Sequence, residues 1–192
     1  EQAIQVNGHN LAAYDALGMT YLDKADRIPQ TADVSRERAN FIYQLAQAFV
    51  PGADKSTSIH TNLGRLYLAK EWTSAAQKEF TIAIELDPTA VEPYLYLADI
   101  DLDNRDYAAA RNRLEKARDL APHRPGIWVS LGVAYRGLEQ SDDAIASYEK
   151  AIALDPDNIE PNLNIAVVMA DQQKKFDEAV SVLEQYREDG GQ

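Results

Sequence analysis

Apolar and small residues recur along the chain with the spacing of amphipathic α-helices, and this pattern repeats every 34 residues. Pro88, Pro122 and Pro156 lie 34 residues apart, and each follows an alanine-rich amphipathic stretch. Proline cannot donate a backbone hydrogen bond, so each one is predicted to stop a helix. A fixed period of this size is typical of stacked helical repeats, in which each unit packs only on its neighbours.

The copy of the pattern over 125–158 is the most complete. It places aromatic, leucine and small residues at fixed positions: Trp128, Leu131, Gly132, Tyr135, Ala144, Tyr148, Ala151 and Pro156. This copy resembles the tetratricopeptide repeat (TPR), a helix-turn-helix unit with the pattern W-x2-L-G-x2-Y, then A-x3-F, then P, with tyrosine here replacing phenylalanine. The resemblance implies an all-α fold, a right-handed superhelical solenoid of stacked antiparallel helix pairs.

The remaining copies follow the same register within one solenoid domain. Repeats are predicted over 57–90, 91–124 and 125–158, with His60 and Asp101 departing from the aromatic positions. A degenerate terminal repeat over 159–192 fits if one residue is added within 172–175.

A further repeat over 11–56 contains an insertion between its two helices. Tyr21 and Ala39 are 18 residues apart, whereas the equivalent Tyr67 and Ala76 are nine apart. Because Pro29 lies in the extra segment, an inserted loop is predicted near 26–34. A tolerated insertion is the favoured interpretation, and a functional loop is the alternative.

Residues 1–10 resemble the tail of a truncated preceding repeat, since 3–8 align with 83–88. We therefore predict that the chain is a fragment of a longer array that continues on the N-terminal side. Arrays need end units with a solvated outer face. Self-association through uncapped ends is predicted near these residues: Ala3, Ile4, Val180, Leu183 and Tyr186.

The pattern residues have a mechanical role. Gly64, Gly132 and Ala144 are predicted to lie where paired helices cross, because small side chains allow close approach. The large residues, such as Phe80 and Tyr148, are predicted to fill the core rather than to form a ligand cage.

Composition limits the possible partners. The 192 residues include 31 acidic and 19 basic residues, for a formal net charge of −12, which disfavours binding to nucleic acid or anionic lipid. No apolar run is long enough for membrane insertion, and the absence of cysteine excludes disulfides and thiolate chemistry. The compartment stays open, with the cytoplasm favoured slightly over the periplasm.

No motif for catalysis, a cofactor or a metal is recognisable. His9, His60 and His123 are lone histidines, and no phosphate-binding loop or nucleophile elbow is present. The segment 99–104 resembles the start of a calcium loop, but Asn104 and Ala110 replace the required glycine and glutamate. We therefore predict a solvated helix here and a chain that is not an enzyme.

The resemblance also implies a binding surface, because in TPR proteins the first helices line a concave groove that holds a partner segment. The residues mapped to this groove are Asp15, Met19, Asp23, Arg65, Glu92, Leu95, Asp99, Asp103, Val129, Val133, Arg136, Glu160, Leu163 and Val167. Leu22, Leu68 and Leu102 are placed on the same face. The lysine and asparagine clamp that binds chaperone C-termini in some family members is absent.

An apolar floor with acidic rims suggests a protein or peptide partner that carries both apolar and basic residues. The predicted function is a non-catalytic scaffold for protein–protein interaction. A regulatory or substrate-recruiting segment of a larger enzyme and a self-assembling scaffold are the alternatives.

Overall fold

The computed structural model describes residues 10–158, 160–171 and 176–188. Within these ranges the chain forms ten α-helices and no strand, which confirms the all-α prediction. The helices are α1 (Leu11–Arg27), α2 (Ala32–Phe49), α3 (Thr57–Leu68), α4 (Thr73–Leu86), α5 (Val91–Asp103), α6 (Tyr107–Leu120), α7 (Pro125–Gly137), α8 (Ser141–Leu154), α9 (Glu160–Asp171) and α10 (Phe176–Glu188). Short 3-10 turns at Pro29–Thr31 and Ala53–Lys55 precede α2 and α3. The turn at 172–175, where one additional residue is predicted, and residues 1–9 lie outside the described ranges.

Internal contacts divide the chain into two compact units, residues 1–93 and 94–192. In the first unit α1 packs on α2 and α3 packs on α4, while α2 and α3 also touch. In the second unit each helix from α6 to α9 packs on the next one along the chain. Both cores are therefore built from sequence neighbours, as expected for stacked helix pairs.

A close approach between the two helices of a pair is built from glycine and an aromatic ring. A Cβ atom added to the glycine would lie 2.3 Å from the ring in the pair Gly18–Tyr43 and 2.4 Å from it in the pairs Gly64–Phe80 and Gly132–Tyr148. No side chain fits in that space, so the helices cross this closely only because the residue is glycine. This confirms the role predicted for Gly64 and Gly132.

The aromatic rings at these crossings are fully buried, as are the alanines one turn before them on the second helices. The hydroxyls of Tyr43 and Tyr148 are also buried and have no hydrogen-bond partner among the described residues. Burial raises the pKa of the Tyr43 phenol, and it raises the pKa of Tyr148 to about 12. Phe80 fills the equivalent place without a hydroxyl, so this position contributes ring packing rather than hydrogen bonding.

The turn inside each helix pair repeats with the same 34-residue period. Glu71, Arg105 and Glu139 all have a φ of 60°, the left-handed region that non-glycine residues rarely adopt. The residue after each of them donates its N–H to a carbonyl five positions earlier, at distances of 2.8–2.9 Å: Trp72 to Tyr67, Asp106 to Asp101 and Gln140 to Tyr135. These hydrogen bonds satisfy carbonyls at the end of the first helix. The second helices α4, α6 and α8 end two residues before Pro88, Pro122 and Pro156, where the sequence predicts helix stops.

The loop predicted near 26–34 is mostly helical. Helix α1 continues to Arg27 and α2 begins at Ala32, so only Ile28 and the 3-10 turn separate them. The two helices pack on each other, and Ala25 on α1 and Ser35 on α2 are both buried. Most of the insertion thus lengthens a helical hairpin, and Pro29 starts the connecting turn as expected.

His60 is a structural residue with two hydrogen bonds. Its Nδ1 lies 2.6 Å from Glu79 Oε2, and its Nε2 lies 3.0 Å from the Asp54 carbonyl oxygen. Two acceptors on opposite ring nitrogens are both satisfied only when the imidazole is doubly protonated. The hydrogen bond to Glu79 raises the pKa of His60 above its ordinary value, although burial acts in the opposite direction.

Replacing Gly132 with alanine is expected to lower the free energy of unfolding by about 1–3 kcal/mol, because the methyl group overpacks the Tyr148 ring. Gly126 is a matched control on the same helix, since a Cβ added there meets nothing within 4 Å. Gly126→Ala is therefore expected to leave stability unchanged or slightly higher. Urea unfolding followed by circular dichroism measures both variants. Equal stabilities would contradict the close crossing at Gly132.

The His60–Glu79 pair is expected to make stability depend on pH. Because the pKa of His60 is raised on folding, its contribution is complete below the ordinary histidine value of 6.5 and is lost as the pH rises through the folded value. The unfolding midpoint should therefore fall when the pH is raised from about 6 to about 8. The fall should be smaller in Glu79→Gln, whose amide can satisfy neutral imidazole. The same pH dependence in both proteins would rule out this pair as its source.

Candidate functional site

The residues predicted to form the groove all lie on the first helices of the pairs, namely α1, α3, α5, α7 and α9. The two units present different chemistry on these helices.

In the first unit, the acidic residues of α1 are already engaged by polar residues of α3. Ser58 Oγ donates to Asp15 Oδ2 at 2.5 Å, and Asn62 Nδ2 donates to Asp15 Oδ1 at 3.0 Å. Arg65 lies 3.2 Å from Asp26 Oδ2 and 3.6 Å from Asp23 Oδ1. These contacts tie α1 to α3. Ser58 and Asn62 satisfy Asp15 by hydrogen bonds without changing its charge, and Arg65 supplies one positive charge beside Asp23 and Asp26.

Helix α1 also supplies apolar surface beside this polar network. Met19 is exposed, as predicted for a groove residue, whereas Leu22 is buried in the core of the first unit, so its placement on the groove face was wrong. The first unit has less exposed apolar surface on these helices, and its carboxylates are already paired. It is therefore a weaker candidate for recognising a basic segment.

In the second unit, α5 carries two carboxylates that have no cation beside them. Asp99 and Asp103 are one helical turn apart and exposed, and neither has a hydrogen-bond or ion-pair partner among the described residues. Partial loss of water around its carboxylate raises the pKa of Asp99, and the negative charge of Asp103 adds to this shift. A cation placed between them would relieve both effects.

The carboxylate of Asp101, between these two, has a structural partner instead. Asp101 is buried and accepts a hydrogen bond from Arg113 Nε at 2.5 Å. The segment is a continuous helix on which the buried Asp101 faces away from Asp99 and Asp103. Among the described residues, no group of three or more histidine, aspartate or glutamate side chains could hold a metal ion.

Apolar residues of α7 and α9 accompany the carboxylates in the second unit. Val129 and Val133 are half-buried and pack against the core cluster of Tyr148, Ile165 and Val168. Leu163 and Val167 are exposed on α9, one helical turn apart. Leu95 and Arg136 are half-buried, whereas Glu160 at the start of α9 is exposed. The second unit therefore combines exposed apolar side chains with unpaired carboxylates on its first helices.

Models of the tetratricopeptide repeat match three segments of the chain, residues 57–89, 95–159 and 136–192. The chain belongs to the TPR family. The matched segments coincide with the helix pairs from α3 to α10, and the family pattern accounts for the glycine that faces an aromatic ring in the pairs α3–α4 and α7–α8.

The TPR proteins similar to this chain carry different functional descriptions. The chain is 31% identical over 134 residues to "BBSome complex member BBS4" of Bos taurus, covering 70% of this chain and 25% of that protein. It is 22% identical to the "Peroxisomal targeting signal receptor" of Kluyveromyces lactis, covering 87% of this chain and 28% of that protein. The chain thus spans about a quarter of the length of these relatives.

Solved TPR structures share the fold at low identity. The "Crystal structure of MamA protein" superposes with a TM-score of 0.73 at 22% identity, covering 90% of this chain and 91% of that one. PilF of Pseudomonas aeruginosa gives a TM-score of 0.75 at 20% identity, covering 95% of this chain and 77% of that one. YrrB, described as "a TPR protein with an unusual peptide-binding site", gives 0.72 at 17% identity, covering 98% and 91%.

Several residues of this TPR surface escaped prediction. Ser58, Asn62 and Asp26 hold the polar network of the first unit, yet none was mapped to the groove. The sequence contains a partial signal for this network, since Ser58 and Asn62 are polar residues one helical turn apart on a first helix.

None of the described helices is long and apolar enough to traverse a lipid bilayer.

Replacing either of two α5 aspartates with asparagine is expected to change the free energy of unfolding differently at neutral pH. Asp101→Asn should lower the free energy of unfolding by about 1–3 kcal/mol, because it removes the charged partner of Arg113. Asp99→Asn should not lower stability, because a carboxylate whose pKa is raised on folding is less favourable in its charged form. Thermal unfolding of the two variants measures the difference. Destabilisation by Asp99→Asn as large as that by Asp101→Asn would show that Asp99 is a structural residue.

Proposed function

We propose that this TPR chain is a non-catalytic scaffold that binds a segment of a partner protein along its first helices. In this proposal the second unit recognises the charge of the segment, through Asp99 and Asp103, and the apolar residues of α7 and α9 bind its hydrophobic side chains. The partner segment therefore carries Lys or Arg together with apolar residues.

The observation that carries the proposal is the contrast between the two units. The α1 carboxylates are paired with Arg65, Ser58 and Asn62, whereas Asp99 and Asp103 have no partner in the described part of the chain. Uncompensated charges in a partly desolvated position raise the free energy of the unbound protein. A basic partner residue would lower it and would also steer association.

The exposed leucine and valine of α9 support the same surface. Leu163 and Val167 do not complete the core, and neighbouring apolar side chains with a charged rim are common at protein interfaces. A partner segment with both kinds of residue would use the apolar contacts for affinity and the charged contacts for orientation.

A capture experiment tests the proposal with a matched charge control. The chain, an Asp99→Lys/Asp103→Lys variant and a Glu149→Lys/Asp157→Lys variant are immobilised, and bound proteins are identified by mass spectrometry. Glu149 and Asp157 are exposed and lie outside the first helices, so the two variants have the same net charge.

We expect partners with basic segments to bind the chain and the control, and to be lost from the Asp99→Lys/Asp103→Lys variant by tenfold or more. Binding should also weaken as salt shortens the Debye length, which is about 8 Å at physiological ionic strength. Equal capture by all three proteins, or capture that does not change with salt, would refute the assignment of these two carboxylates.

A further inference from the structure

The second helix of the first repeat exposes large apolar side chains to solvent. Phe41 and Val34 on α2 have exposed fractions of 59% and 54%. They are seven residues apart, so they lie on the same side of the helix. Beside them is an open groove of about 540 Å³, lined by Tyr21, Val34, Glu37, Arg38, Phe41 and Ile42. We call this surface, the groove with the two exposed side chains, the α2 outer patch.

Packing between repeats does not account for the α2 outer patch. Phe41 is the second residue after the crossing alanine Ala39, and the equivalent residues in later repeats are Lys78, Asn112 and Ala146, all exposed. Lys78 belongs to a repeat that has another repeat before it, so a preceding repeat does not cover this position. Val34 lies within the inserted segment and has no equivalent in the later repeats. Among the repeats compared, a large apolar side chain at the Phe41 position is specific to the first repeat.

The charge pattern indicates what can approach this patch. The chain carries a formal net charge of −12, yet the fifteen residues 39–53 contain no Asp, Glu, Lys or Arg. A second copy of the chain would be repelled over much of its surface but not here. Within the patch, Glu37 and Arg38 are adjacent and cancel in charge, and the Arg38 guanidinium lies 5.6 Å from the centre of the Tyr21 ring.

The patch offers both an exposed ring and an open groove. Phe41 is 59% exposed and borders the groove of about 540 Å³, so a two-fold contact would present a ring and a groove from each copy to the other. In such a contact Phe41 of each copy enters the groove of the other. The adjacent opposite charges of Glu37 and Arg38 can then pair between the two copies.

We propose that the α2 outer patch is a homodimer contact, and that its occupant is the same patch of a second copy of this chain. This contact is separate from the partner-binding surface on the first helices. It also differs from self-association through chain ends, for which Val180 is exposed while the side chains of Leu183 and Tyr186 lie outside the described residues.

Sedimentation equilibrium of the whole chain tests the proposal. We expect a reversible dimer that tightens as salt screens the net charge, with a dissociation constant that rises at least about tenfold in Phe41→Glu, because a central aromatic is a typical hot spot. Lys78→Glu changes the equivalent exposed position of the next repeat and should leave the constant within about twofold of wild type after allowance for net charge. A chain that remains monomeric at every concentration would overturn the proposal, and so would equal weakening by both variants.

A cross-linking measurement keeps the proposal testable if Phe41→Glu fails to fold. The chain has no cysteine, so Gln44→Cys, an exposed residue one turn after Phe41, provides a single thiol. A short bismaleimide should convert this variant into a covalent dimer, whereas Lys78→Cys should stay monomeric. Cross-linking of both variants to the same extent, or of neither, would contradict a contact at the α2 outer patch.

Discussion

The close contact between a glycine on the first helix and an aromatic ring on the second determines how three of the described helix pairs are built. In the pairs at Gly18, Gly64 and Gly132 the ring occupies the space that a β-carbon would need. Because that contact fixes one side of the first helix against its partner, the opposite side is not required for packing within the pair. Its residues can therefore vary in charge and size without loss of the fold, which is why repeats of one architecture can bind different partners.

The side of the first helices that is not needed for packing within the pair carries different interactions in the two units. In the first unit, Arg65 and its polar neighbours bind the carboxylates of α1 and so connect consecutive first helices. In the second unit, the carboxylate of Asp101 forms an ion pair with Arg113, while Asp99 and Asp103 stay unpaired within the described residues. A net charge of −12 spread over the chain does not distinguish these cases. The local pairing does, and it is the basis of the proposal that α5 recognises a basic segment.

Much of the fold could be predicted from the sequence, because the period and the small and aromatic positions encode contacts between sequence neighbours. The helix stops before Pro88 and Pro122 and the crossing at Gly64 followed from that register. The length of the loop near Pro29 did not, since proline marks where a helix ends but not how far the flanking helices extend. The period predicts which residues lie on first helices, but Leu22 shows that it does not decide burial at the edge of a face.

The pairing of charges was also beyond the sequence pattern. Asp99, Asp101 and Asp103 alternate along one segment, and only the three-dimensional position of Arg113 separates the structural aspartate from the other two. The exposure of Phe41 could have been suspected, because the equivalent positions hold Lys78 and Asn112. A large aromatic residue at a position that holds lysine, asparagine or alanine in the next three repeats is a signal that comparison between repeats can detect.

A peptide array tests whether the first helices of the second unit recognise a segment that is both basic and apolar. Peptides in which basic, acidic and apolar positions are varied independently are probed with the purified chain. We expect the chain to select peptides that combine Lys or Arg with Leu, Ile or Phe. Binding should be lost when either the basic or the apolar residues are replaced. Preference for acidic peptides, or binding that ignores the basic positions, would contradict it.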